Sequence, residues 1–223
     1  NIPLFNNQFT ELGAIRNKKA ILDQINNDPV YIKLLQQAGK KKASWDDIRL
    51  YLEIYCQSLN SYQSKYDKVL KGEAIYTPDE REGASLFFSK ELGCSQCHGG
   101  MNFNTPVNNS SPYADNGFYE TDSSHVTRKF TTDQGLFELS NNTSDIGQFK
   151  IPTLRNCMVT APYMHDGRIN TMDSVISFYS KGGNKHVNKH PLITGFRITE
   201  REKKQLIRFL QTLTDTSYLK SEY

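Results

Sequence analysis

The sequence predicts an all-α fold with long loops, and three observations carry that expectation. Apolar residues recur at helical spacing in separate stretches, two Thr-x-x-Glu signatures mark helix starts, and a long middle segment lacks periodicity. Residues 14 to 72 read as helical. Within them Ile48, Leu52, Tyr55 and Leu59 are spaced to face a core, and Trp45 should open that helix as a packing residue. A sharper start follows: Thr77 can cap, Pro78 suits the first helical position, and Glu80 completes a capping box. This helix should run through Ala84, Phe87 and Phe88 and stop at Gly93. Residues 99 to 147, rich in Gly, Asn, Ser, Thr and Asp, read as loop, and loops of that length usually cover a site. Thr171 can cap a helix with Met172, Val175, Ile176 and Tyr179 on one face. Thr199 and Glu202 open a last helix, whose core stripe is Leu206, Phe209, Leu210 and Leu213.

Composition excludes several classes of function. With 223 residues, 37% hydrophobic and 23% charged, the chain is globular rather than disordered. The formal charge of +3 comes from scattered Lys and Arg, with Lys40, Lys41 and Lys42 as the single run. No basic stripe with interleaved aromatics argues for nucleic acid. No apolar run approaches the length of a membrane span. Four cysteines are too few for a disulfide scaffold of this length.

Two of those cysteines carry most of the information. Cys94-Ser95-Gln96-Cys97-His98 is the C-x-x-C-H pattern of covalent haem attachment. A tight turn brings both thiols near the two vinyl groups of one porphyrin. His98 follows directly, so the same turn sets an imidazole nitrogen against the iron. Gly99 and Gly100 would let the backbone pass close to the haem edge. The competing chemistries are a redox dithiol and half a zinc site. The first prefers a helix start after a strand, and nothing upstream reads as that strand. The second needs two more ligands at short spacing. Cys56 and Cys157 are single, and His125, His186 and His190 are not spaced as a ligand pair. The reading is one haem c in this chain, with Cys56 and Cys157 as ordinary thiols.

Several stretches together resemble a known family. They are Tyr66-Asp67, Gly83 to Phe87, Asp145 to Lys150 leading into Ile151 to Asn156, Thr160 to Met172, and Leu210 to Asp215. In that order around C-x-x-C-H, they make the chain similar to the C-terminal haem domain of bacterial di-haem cytochrome c peroxidases. That group includes the methylamine-utilisation, tryptophan tryptophylquinone-forming enzyme. The resemblance implies a class I cytochrome c-like haem domain over residues 76–223. Residues 1–75 would be the helical tail of an N-terminal haem domain whose own C-x-x-C-H is absent here. The family's tryptophan between the haems has no counterpart, because Trp45 falls in a different segment.

The resemblance also implies site residues. The methionine that ligates this haem in the classical peroxidases falls on Tyr179, and the methylamine-utilisation enzyme uses Tyr there. A core aromatic at Tyr179 is the plain alternative, and Met164, then Met101 and Met172, are the other ligand candidates. His165, in the His-Asp-Gly segment, would sit by the haem pocket. Glu11, in Glu11-Leu12-Gly13, matches a family Glu near the peroxide-reacting haem, or is an exposed acid. Backbone oxygens of Thr160 and Pro162 match calcium ligands, the remaining protein ligand lying in the absent part.

Three functions follow. The first is a periplasmic peroxidase that takes electrons from a small cytochrome or cupredoxin to reduce hydrogen peroxide. The second is an enzyme oxidising a protein side chain. The third is a single-haem electron-transfer cytochrome. The resemblance is compatible with a homodimer.

Overall fold

The computed structural model describes residues 17–59, 61–107, 111–118, 133–215 and 217. Glu11 and His125 lie outside them. The chain forms two compact units divided between Asn60 and Ser61.

The first unit holds α1 (Lys18–Asn27), α2 (Pro29–Gln37) and α3 (Trp45–Ser58). Asp28 caps α2 by accepting from the Val30 N–H at 2.8 Å, with Pro29 in the first turn. Ser44 and Asp47 form a reciprocal capping box on α3. Asn26 ties the end of α1 to Ala43 with two reciprocal amide bonds of 3.1 and 2.7 Å. The expected core stripe of α3 is not buried. Ile48 is half-buried, while Leu52, Tyr55 and Leu59 are exposed. Periodicity identified the helix but not a partner for its apolar face: among the described residues of this unit, Leu35 is the one buried hydrophobic.

The second unit contains α4 (Lys65–Leu70), α5 (Pro78–Phe88), α6 (Cys94–Cys97), α7 (Phe137–Ser140), α8 (Met172–Ser180) and α9 (Glu200–Gln211). Two short strands pair antiparallel, β1 (Tyr113–Ala114) with β2 (Phe149–Lys150), the one two-stranded ribbon among the described residues. The capping boxes at Thr77–Glu80 and Thr199–Glu202 form as expected, and Thr171 caps α8. The core is Phe87, Phe103, Cys157, Met172, Ile176, Leu206, Phe209, Leu210 and Leu213. Helices α5 and α9 cross at Gly83, where a side-chain carbon would lie 2.0 Å from the Gln205 carbonyl oxygen and 2.9 Å from Phe209 Cβ. Only glycine permits that approach. Phe209 is fully buried, with the rings of Phe87, Phe88, Tyr66, Tyr76 and Phe103 around it at 5.2 to 6.5 Å.

Residues 61–75, expected with the preceding segment, pack with this second unit. The Tyr66 N–H donates to the Thr212 carbonyl at 2.9 Å, and the Gln63 N–H donates to Asp215 at 3.0 Å. Asn156 donates to Ser61 Oγ at 2.9 Å and accepts from the Asp215 N–H at 2.7 Å. These polar ties join segments far apart in sequence, so no local pattern announces them.

Candidate haem site

Helix α5 stops at Phe88, five residues before Gly93, because Ser89 turns extended and caps it. Gly93 instead adopts φ +65° and turns the chain into the single helical turn of α6. The His98 N–H closes that turn on the Cys94 carbonyl at 2.9 Å. Neither cysteine is in a disulfide. Burial pushes the Cys94 thiol up to about 12 and raises Cys97 as well. Burial thus disfavours the thiolate at both, which argues against a reactive dithiol.

The next residues fold back tightly. Gly99 exchanges two backbone bonds with Thr105, at 3.0 and 3.1 Å, and a side-chain carbon there would lie 2.8 Å from the Thr105 oxygen. The glycine is needed for this close return of the chain. Phe103, buried in the core at a left-handed φ of 53°, turns its carbonyl to His98 Nδ1 at 3.0 Å. A carbonyl only accepts, so Nδ1 carries the proton and Nε2 keeps a lone pair. Burial pushes the His98 pKa down, against the carbonyls of Phe103 and Pro152.

Arg155 fixes this loop from behind. Its guanidinium pairs in bidentate fashion with Asp67, at 2.9 and 2.8 Å, both side chains being at most 9% exposed. Its Nε donates to the Met101 carbonyl and one Nη to the Ser61 carbonyl, each at 3.0 Å. The same group lies over the Tyr62 ring at 5.0 Å and the Phe103 ring at 5.9 Å.

Tyr179 of α8 lies within electrostatic reach of the two thiols. Burial pushes its pKa up, the Asn116 amide pulls it down, and the nearby thiols of Cys97 and Cys94 add to the rise. Asn116 Nδ2 donates to Tyr179 Oη at 3.2 Å and to Met164 Sδ at 3.5 Å. The structure thus brings Tyr179 and Met164 to one amide. Met101 is largely exposed, and Met172 lies in the core. His165 stacks on Phe149 at 3.9 Å and meets Phe118 edge-on at 5.6 Å, at the rim of the same loop. Thr160 and Pro162 are exposed on either side of Ala161, the Ala161–Pro162 bond being cis. Among the described residues no group of three or more His, Cys, Asp or Glu side chains is placed to hold a metal ion.

A cavity of about 240 Å³ opens beside Cys97, walled by Pro106, Ala114, Ile151, Leu192 and His190. Sequence reasoning missed Asn116 and the buried pair of Asp115 with His186. Both partners are isolated polar residues in loops, and no motif marks them.

No family model matches the chain. It is 31% identical over 178 residues to cytochrome c551 peroxidase of Nitrosomonas europaea, covering 79% of this chain and 46% of that one. To cytochrome-c peroxidase IdrP2 of Denitromonas iodatirespirans it is 28% identical over 232 residues, covering 95% and 60%. The solved structure of a MauG-like protein associated with microbial copper homeostasis superposes with a TM-score of 0.80. That pair is 32% identical, over 98% of this chain and 68% of the other. The chain belongs to the di-haem cytochrome c peroxidase and MauG family. It spans about half the length of the curated relatives it matches. Membership in this peroxidase and MauG family implies haem c. The residues fit that group: two free thiols one turn apart, an imidazole with its Nδ1 proton committed, and a largely apolar cavity at the second thiol. Among the described residues no helix is long and apolar enough to cross a membrane.

Proposed function

We propose that residues 61–223 form an electron-handling haem domain of a periplasmic di-haem peroxidase, with one haem c in this chain. Cys94 and Cys97 supply the thioether bonds and His98 Nε2 the proximal ligand, while residues 1–60 are the tail of a preceding haem domain. The observation that carries this reading is the His98 Nδ1 bond to the Phe103 carbonyl, directly after a single helical turn that holds two free thiols. Such a bond fixes ring orientation and raises the basicity of the ligating nitrogen. Bound haem c would supply reversible one-electron exchange. A small cytochrome or cupredoxin would deliver two electrons which, with two protons, reduce one hydrogen peroxide to two waters. His165, stacked on Phe149, is read as a propionate or water partner. Calcium would be held by the Thr160 and Pro162 backbone oxygens, hard donors that suit such a cation.

Matured in a periplasm, the chain is expected to carry one haem per polypeptide that resists acid–acetone extraction. The joint change Cys94→Ala and Cys97→Ala should abolish covalent attachment. Extractable haem, or one zinc ion per chain and no haem, would overturn the reading.

Tyr179 would be the second protein group to hold the haem iron, since its hydroxyl is buried within electrostatic reach of both thiols and receives a hydrogen bond from Asn116. A phenolate favours ferric and higher states, whereas a thioether favours ferrous iron. This observation also favours a second reading, a side-chain-oxidising enzyme of the MauG type. A haem closed on both faces should make this chain alone a weak peroxidase. Steady-state turnover with reduced cytochrome c checks this, and turnover matching a full-length relative would show an open haem here.

A further inference from the structure

We infer that Asn116 is the positioning residue that decides whether an oxygen or a sulfur is presented to a haem held by His98. The inference rests on the proposed haem site and names what selects its distal ligand.

The orientation of the amide is fixed by its other end. Asn116 Oδ1 accepts the Phe118 N–H at 3.1 Å, so the NH2 group must face Tyr179 and Met164. It has two hydrogens and meets two acceptors, a phenol oxygen and a thioether sulfur. Oxygen is the stronger acceptor of the two. A hydrogen bond into Oη orients the phenol and leaves a second oxygen lone pair for a cation. A hydrogen bond into Sδ, the weaker acceptor, ties Met164 to the same amide while leaving the sulfur its second lone pair. One donor group therefore sets the positions of both candidate ligands and favours the oxygen through the stronger bond.

The loop carrying Asn116 is built to hold that geometry. The Asp115 side chain is wholly buried, accepts from the Gly117 N–H at 2.7 Å and pairs with His186. The Asp115 carbonyl accepts from the His190 N–H at 2.9 Å, and the Gly117 carbonyl from the Asn184 N–H at 2.7 Å. At Gly183 a side-chain carbon would lie 2.7 Å from the Asn116 carbonyl oxygen, so the backbones touch there. All these anchors belong to residues 183–190, which continue directly from α8. Donor and phenol are thus braced to one piece of chain. Met164 sits on a separate turn, closed by the Tyr163–Ile169 bridge, at a left-handed φ of 70°.

The test uses the full chain loaded with haem, read by ferric near-infrared spectra and by midpoint potential rather than by turnover. Asn116→Leu should bring up a thioether charge-transfer band in most of the haem and raise the potential. Asn116→Asp, nearly isosteric but offering no donor when ionised, guards against a packing artefact and should bring up the same band, while its added negative charge opposes the rise in potential, so for this variant the band is the readout. Adding Met164→Leu to either should remove the new band. Asn116→Gln, which restores a donor, should return towards the parent spectrum. If Tyr179→Phe changes the parent spectrum while both Asn116 variants leave it alone, the inference fails and the axial role of Tyr179 stands. If Tyr179→Phe leaves the parent spectrum untouched, the axial role falls and the inference falls with it.

Discussion

Replacing Arg155 with leucine should destabilise the second unit by about 3–5 kcal/mol, the usual range for stripping one partner from a buried ion pair. Asp67 would be left buried, with only its Ser64 cap to compensate it. The Met101 and Ser61 carbonyls would lose their donors as well. Arg155→Lys should recover only part of the loss, since an ammonium cannot bridge both Asp67 oxygens and two carbonyls in one plane. The joint change Arg155→Leu and Asp67→Leu should recover more, because no unpaired charge remains. Denaturant unfolding measures all three, and a loss below about 1 kcal/mol for Arg155→Leu would show the pair to be solvent-relaxed. Burial alone would raise the Asp67 carboxyl, but hydrogen bonds from Arg155 and Ser64 hold it below the usual carboxylate range. Its folded-state pKa is depressed, so this contribution is fully present above the unfolded value near pH 4 and is lost as pH falls through the folded value.

Gly83→Ala should cost about 3 kcal/mol, at the upper end for overpacking a core. The added carbon would sit 2.0 Å from a backbone oxygen of α9, which no rotamer change relieves. The helices must part, loosening the Phe87 and Phe209 contact at 5.2 Å. A midpoint shift in thermal unfolding of less than a degree or two would mean that α5 slides along α9 at little cost. Ser85→Ala, two residues along the same helix, is the control and should do little.

Much of the second unit could be read in the residues. Thr77 with Glu80 and Thr199 with Glu202 form the boxes their spacing implies, and the α9 stripe from Leu206 to Leu213 is the core. Local hydrogen bonding and a 3.6-residue period suffice for such features. The α3 stripe failed because periodicity specifies a face and not what covers it. Tyr179 could not be told from a core aromatic by spacing, since Met172 and Ile176 of the same face are indeed core. Asn116, Asp115 and His186 could not be found, because their partners lie 63 and 71 residues away across irregular chain. The segment at 61–75 joined the second unit through Tyr66 and Gln63, again by pairings with no local signature.

The crossing at Gly83 sets an order of events in biogenesis. Helix α5 ends shortly before Cys94, whereas its partner α9 begins at Glu200, close to the end of the chain. A chain emerging from its amino end exposes both thiols well before the element that completes the core is available. Closing so long a loop is entropically late. Cys94, packed against that core with a thiol that ionises only near 12, is chemically most accessible while the carboxyl end is still undocked. Covalent attachment of a haem would thus have a natural window while the chain is still emerging, which closure of the last helix brings to an end.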